Sequence, residues 1–167
     1  MPSIDDAMKP YAFPRLRLDD TLYMNLALAM AKRAMLDEEV PVGALVVLGG
    51  KVLGFGWNQK EAGLDPTAHA EILALRMAGR TKGNWRLSGA CVYVTKEPCV
   101  MCAGALLEAR VARVVYGAKD FKTGALGSLY CLHDQAFLPH RLAVSEGVEK
   151  DRAAELLVRF FRCKKNR

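Results

Sequence analysis

The sequence predicts an α/β protein: one mixed sheet of about five strands, flanked by helices, in a single domain. Three observations carry this. The chain has 167 residues, 51% apolar and 25% charged, which suits one packed core in a water-soluble protein. Two short apolar runs meet at Gly49-Gly50 and read as a hairpin. After the hairpin, strand-like runs alternate with stretches of helical period, and a helix between two strands implies a crossover and parallel pairing.

The elements follow in order. Residues 1–18, with Pro2, Pro10 and Pro14 and no sustained period, are expected to form a flexible lead-in to a domain spanning 19–167. Asp19 and Asp20 suit a helix N-terminus, and Leu22, Leu26, Met30, Ala34 and Met35 recur at near-helical spacing to about residue 37. Residues 43–48 and 51–57 form the antiparallel hairpin, and a polar loop covers 58–65. Pro66 and Thr67 punctuate the start of a second helix over about 68–79. Residues 80–89 read as loop, 90–95 as strand, 99–109 as helix, and 113–116 and 141–145 as strands. The last helix covers about 151–162. The connection 120–140 is long for a compact domain, which marks it as a candidate binding segment.

Composition narrows the class. No apolar run is long enough to span a bilayer and the first 18 residues lack a signal-peptide core, so no membrane association and a cytoplasmic location are expected. Cys91, Cys99, Cys102, Cys131 and Cys163 are an odd number, which speaks against a disulfide framework and for thiols available to a metal. The net charge is +6, and residues 151–167 carry six basic and two acidic side chains, so most of the surplus sits at the C-terminus. Such a tail suits contact with phosphates.

The chemistry lies in two short motifs. His69-Ala70-Glu71 opens one expected helix and Pro98-Cys99-Val100-Met101-Cys102 opens another. Cysteines three apart in a first helical turn share a face, and a helix N-terminus favours thiolates. With the neutral imidazole of His69 they make three protein ligands, the number that a catalytic zinc site uses while leaving its fourth position open. Two thiolates cancel the charge of the ion, so a proton acceptor is needed, and Glu71 is placed to move protons to a ring nitrogen and a departing amine. A closed structural zinc knuckle would need a second ligand pair, and the remaining cysteines are scattered singly.

On these motifs the chain resembles the bacterial tRNA-specific adenosine deaminases, which convert the wobble adenosine of an arginine tRNA anticodon to inosine. The likeness runs through residues 39–44, 65–71, 97–105 and 122–125. It implies the cytidine deaminase-like fold, a three-layer α/β/α sandwich, one zinc ion per subunit, and a homodimer whose partner subunit helps shape a groove for the anticodon stem-loop. It further implies that Asn58 and the Ala70 backbone contact the target base and that Asp120 contacts a flanking nucleotide. Lys119 and Lys122 add charge there, and His140 and Arg141 are candidate RNA contacts. The basic end of the last helix, Arg159 to Lys165, resembles the element that lies beside the anticodon stem. Two departures stand out: Pro139-His140-Arg141 replaces the family's Asn-His-Arg, and Lys96 replaces an apolar residue before Glu97-Pro98-Cys99.

Two other classes remain open at the level of sequence. A deaminase of a free base or nucleoside, of guanine or cytosine type, would share the zinc motif, although Val100 stands where guanine deaminases commonly have proline. A non-catalytic, zinc-stabilised RNA-binding protein would have no use for Glu71.

Overall fold

The computed structural model describes residues 18–165. The expected lead-in lies outside these residues except for Leu18, which already belongs to the first helix, α1 (Leu18–Leu36). Strands β1 (Gly43–Leu48) and β2 (Lys51–Trp57) form the hairpin. Gly49 and Gly50 both take positive φ, 56° and 77°, the pair of left-handed residues that a two-residue hairpin turn needs. A four-residue helix, α2 (Lys60–Gly63), occupies part of the expected polar loop. Then come α3 (Ala70–Lys82), β3 (Cys91–Lys96), α4 (Val100–Glu108), β4 (Arg113–Ala118), β5 (Ala143–Glu146) and α5 (Lys150–Lys165).

The five strands lie in the order β2-β1-β3-β4-β5. β1 pairs antiparallel with both β2 and β3, while β3, β4 and β5 run parallel. The expected mixed sheet is therefore present, with one difference in its connections. β4 and β5 are joined by a long segment whose one regular piece is a 3-10 turn at Leu132–Asp134, with no crossover α-helix.

Alternation along the strands sorts side chains onto two buried faces. Val46, Val92, Val94, Val114 and Tyr116 join Ala74, Ala78, Ala103 and Leu106 of α3 and α4 on one side. Leu45, Val47, Tyr93 and Val115 join Met24 and Ala27 of α1 on the other, and α5 packs on that side against β4. Each fully buried valine adds roughly 1.5–3 kcal/mol, and covering both faces produces the three layers.

Helix α1 corrects the expected apolar face. Of the expected face, Ala34 is buried and Met30 and Met35 are half-buried, but Leu22 and Leu26 are 59% and 43% exposed, and Met24, Ala27, Leu28 and Ala31 are buried in their place. The reason is close approach. A Cβ on Gly43 would sit 2.1 Å from the Ala27 carbonyl oxygen and 2.5 Å from the Ala31 nitrogen, so α1 lies almost backbone to backbone on β1 and its small residues face the sheet. Asp19 and Asp20 also fall inside this helix and not at its cap. At the other boundaries α3 runs on to Lys82 because Gly83, at φ 70°, supplies the left-handed C-cap in place of Gly79.

Candidate active site

The metal-site residues meet where two helices begin. His69 and Cys99 are the N-caps of α3 and α4, each extended at φ −75°, with ψ 153° and 174°. Extended backbone is usual at an N-cap, but neither side chain makes a capping bond, so the imidazole and the thiol are not committed to their own helix starts. Cys102 lies three residues into α4 and is fully buried. The His69 Nδ1 atom stands 3.7 Å from Cys99 Sγ and 3.4 Å from Cys102 Sγ. Among the described residues these three donor atoms form a cluster within 4.8 Å of one another.

The charges are arranged for a cation. A hydrogen bond from Cys102 holds Cys99 down to about 3, so Cys99 is the thiolate of the pair. The same bond, burial and the neighbouring Glu71 push the Cys102 thiol up. The hydrogen bond to Cys99 also raises His69. Cys102 therefore keeps its proton in this cluster, and a bound dication would stabilise the second thiolate. Two sulfurs and one imidazole nitrogen are a donor set for zinc, and the residues present fit it. Glu71, in the first turn of α3, is 3% exposed, and burial pushes its carboxyl up towards the protonated form.

Asn58 sets the position of α3. It follows β2, is buried, and its Oδ1 accepts the Ala70 N–H at 3.1 Å. That N–H is one of the orphan donors of the helix start. The backbone group expected to meet a base is thus held here by the side chain expected to do the same.

Asp120 is more enclosed than a surface contact. It is 7% exposed, forms an ion pair with Lys96, accepts from Thr123 Oγ1, and accepts the Lys122 N–H at 2.9 Å. Burial opposes its charge, but the hydrogen bonds from Lys96, Thr123 and Lys122 hold it down to about 2. Lys96, the residue that departs from the family pattern, is therefore the counter-ion of Asp120. Lys119 is paired with Glu146 at 3.0 Å, and Lys122 is exposed beside the site.

His140 and Arg141 are not brought to the metal residues. The His140 ring meets the Val111 carbonyl at 2.7 Å, ahead of β4, and Arg141 pairs with Asp134 at 3.6 Å. β3 and β4 are parallel, so this is the end of the sheet opposite Cys99. Of the aromatic pair near the C-terminus, Phe160 is 7% exposed and packed while Phe161 is half-exposed.

Glu97 has a structural part that the motif alone did not reveal. It is buried, and its carboxylate accepts the N–H groups of Asp120, Leu126 and Ser128 at 3.0, 3.1 and 3.0 Å, together with the Ser128 hydroxyl. The Ala125 N–H reaches the Pro98 carbonyl at 2.9 Å, and Gly124 bridges to Cys99. Glu97 thereby ties the long connection to the strand end that delivers the metal residues. The signal available in the sequence was an acidic residue directly before Pro98, at the expected end of an apolar strand.

A two-cysteine, one-histidine cluster backed by a buried carboxylate at the carboxyl edge of such a sheet suits a zinc-dependent deaminase, and residues 18–118 match the cytidine and deoxycytidylate deaminase zinc-binding region. The tRNA-specific adenosine deaminase of Haemophilus influenzae is 44% identical over 143 residues, covering 85% of this chain and 83% of its own. That of Bacillus subtilis is 42% identical over 143 residues, covering 86% and 89%. A solved structure from studies of A-to-I editing by tRNA:A34 deaminases at the wobble position of transfer RNA matches with a TM-score of 0.80 and 44% identity, over 82% of this chain and 99% of that one. The chain belongs to this zinc-binding deaminase family and, within it, to the tRNA-specific adenosine deaminases.

Proposed function

We propose that this chain hydrolyses the exocyclic amine of the wobble adenosine in tRNA, leaving inosine and releasing ammonia, with an arginine tRNA of ACG anticodon as substrate. The observation that carries the reading is Glu71, a buried carboxylate in the first turn of α3 and two residues from His69, beside a cluster that zinc fits. That the substrate is tRNA is supported by the 44% and 42% identity to tRNA-specific adenosine deaminases, and the arginine ACG anticodon by the family resemblance of the sequence motifs.

Zinc held by His69, Cys99 and Cys102 supplies a Lewis acid that makes water nucleophilic near neutral pH. Glu71 accepts a proton as water adds to the ring carbon and passes it to the adjacent ring nitrogen, then takes the second proton from the new hydroxyl and gives it to the amine as the carbon–nitrogen bond breaks, leaving the carbonyl and ammonia. Burial suits this role, because a carboxyl raised towards neutrality both takes and gives a proton. Asn58 and the first turn of α3 frame the base. A wobble adenosine sits in a single-stranded loop, where unstacking it costs least.

Lys122, Asp120 and the basic end of α5 face the RNA in this reading, and the enzyme works as a cytoplasmic homodimer. The apolar groove between α3 and α4, about 480 Å³ and lined by Ile72, Leu75, Trp85, Leu87 and Ala105, supports a subunit contact on that side. No helix among the described residues is long and apolar enough to cross a membrane. The test is incubation of the zinc-loaded chain with an ACG anticodon stem-loop, followed by sequencing for inosine. Absence of conversion under those conditions rejects the proposal.

A further inference from the structure

One aromatic side chain, three residues before the glycine that bridges to Cys99, has no place in the core. Phe121 is 74% exposed, yet the backbone around it is held from both sides. Ahead of it, the Asp120 N–H is bound by the buried Glu97 carboxylate at 3.0 Å, and the Asp120 side chain is fastened by Lys96 and Thr123. Behind it, the Lys122 N–H returns to Asp120 Oδ1 at 2.9 Å, and the Gly124 N–H to the Asp120 carbonyl at 2.9 Å. Gly124 is itself bridged to Cys99. The turn is a rigid mount on the segment that delivers a metal ligand, with Phe121 at its outer side.

An exposed phenylalanine forgoes the gain of burial, and the fastened turn holds its Cα at the surface. Its neighbours indicate what covers it. Lys122 is exposed and has no ion-pair partner among the described residues. Lys119 is 43% exposed in its pair with Glu146, and the chain as a whole carries +6. A second copy of a cationic chain would bring like charge to this turn. A nucleobase brings a flat face for the ring and a phosphate for the lysine, and such stacking accepts any base because every base has a π-face.

We infer that Phe121 is a stacking platform for an unpaired nucleobase next to the one that enters the metal site, with Lys122 on the adjoining phosphate. The inference rests on the RNA substrate proposed above and adds a specificity-determining contact to it: the neighbour must be unpaired, while its identity matters less.

The test uses the zinc-loaded full chain and a short anticodon stem-loop. Phe121→Ala is expected to raise KM about tenfold, with kcat within about twofold. Phe121→Trp is expected to keep KM near the wild-type value and Phe121→Leu to recover little of it, because a leucine is apolar but does not stack. A 2-aminopurine placed in turn on each side of the target adenosine should lose fluorescence on binding the wild-type chain and keep it with Phe121→Ala. Zinc content and melting temperature should not move, since the side chain lies outside the core. A Phe121→Ala variant with wild-type KM and unchanged quenching overturns the stacking contact and leaves the deaminase reading standing. A wild-type chain that converts no RNA overturns that reading and this contact together. A change of oligomeric state on Phe121→Ala, seen by sedimentation, assigns the ring to a subunit contact and also overturns the inference.

Discussion

The two ends of the parallel strands both hold buried charge, and they treat it in opposite ways. At the carboxyl end of β3, Glu71 and the cysteine pair lie close together with their charges only partly compensated within the protein. At the other end, the fully buried Asp20 receives two parallel bonds of 2.8 Å from Arg113, and the Tyr93 hydroxyl donates to it at 2.9 Å. Arg113 also reaches Ser145 Oγ at 2.8 Å. Burial, helped by Cys91 and Asp20, keeps the Tyr93 phenol protonated. The compensated end ties α1 to β3, β4 and β5. The uncompensated end is left ready for a cation and a proton.

This contrast makes separable predictions. Removal of zinc by a chelator, or Glu71→Gln, should have the largest effect, with deamination falling by a factor of about 10² to 10⁴ for the variant. Its melting temperature should hold or rise, because a buried carboxylate has been replaced by a neutral isostere. Zinc content measured on the same sample must be unchanged, and a variant that loses its metal would show that Glu71 belongs to the structure instead.

Asp20→Ala should do the reverse. Stripping one partner from a buried pair costs about 3–5 kcal/mol, visible in urea unfolding, while turnover per folded, zinc-loaded molecule stays near the wild-type rate. A large loss of turnover at unchanged stability would erase the distinction between the two ends.

Gly124→Ala sharpens the border of the active region. An added Cβ would lie 2.5 Å from the Asp120 carbonyl oxygen and 2.5 Å from the Glu97 carboxyl carbon, so the turn must shift. The expected result is a several-fold higher KM for the stem-loop, on the order of 1 kcal/mol, with zinc retained.

The smallest effect concerns acid. Asp120 titrates at about 2 in the folded chain and at about 3.9 when unfolded. Its folded value is depressed, so its contribution to stability is full above the unfolded value and disappears as pH falls towards 2. Asp120→Asn should flatten the acid limb of the stability profile between about pH 4 and pH 2. An unchanged limb would mean that the Lys96 pair adds nothing to stability.

The parts legible in the sequence share one property, short range. His69 and Glu71 are two residues apart and Cys99 and Cys102 three, so helix geometry alone places each pair. The hairpin at Gly49-Gly50 was legible for the same reason. The buried face of α1 was not, because that helix is apolar on more than one side and only the approach of Gly43 selects Ala27 and Ala31. The enclosure of Asp120 was also hidden, since its counter-ion Lys96 lies 24 residues away.

By itself the sequence determined that the donor types of a zinc site, with a carboxylate beside them, stand at two helix starts. The tertiary structure decided that His69, 30 residues from Cys99, meets it at 3.7 Å. It also decided that Asp20 is claimed by Arg113, 93 residues on, while Glu71 is buried beside the metal-site donors. The physical reason is solvation. Whether a charged group is stable, paired or reactive depends on what excludes water around it, and in this fold that exclusion is built by segments far apart along the chain.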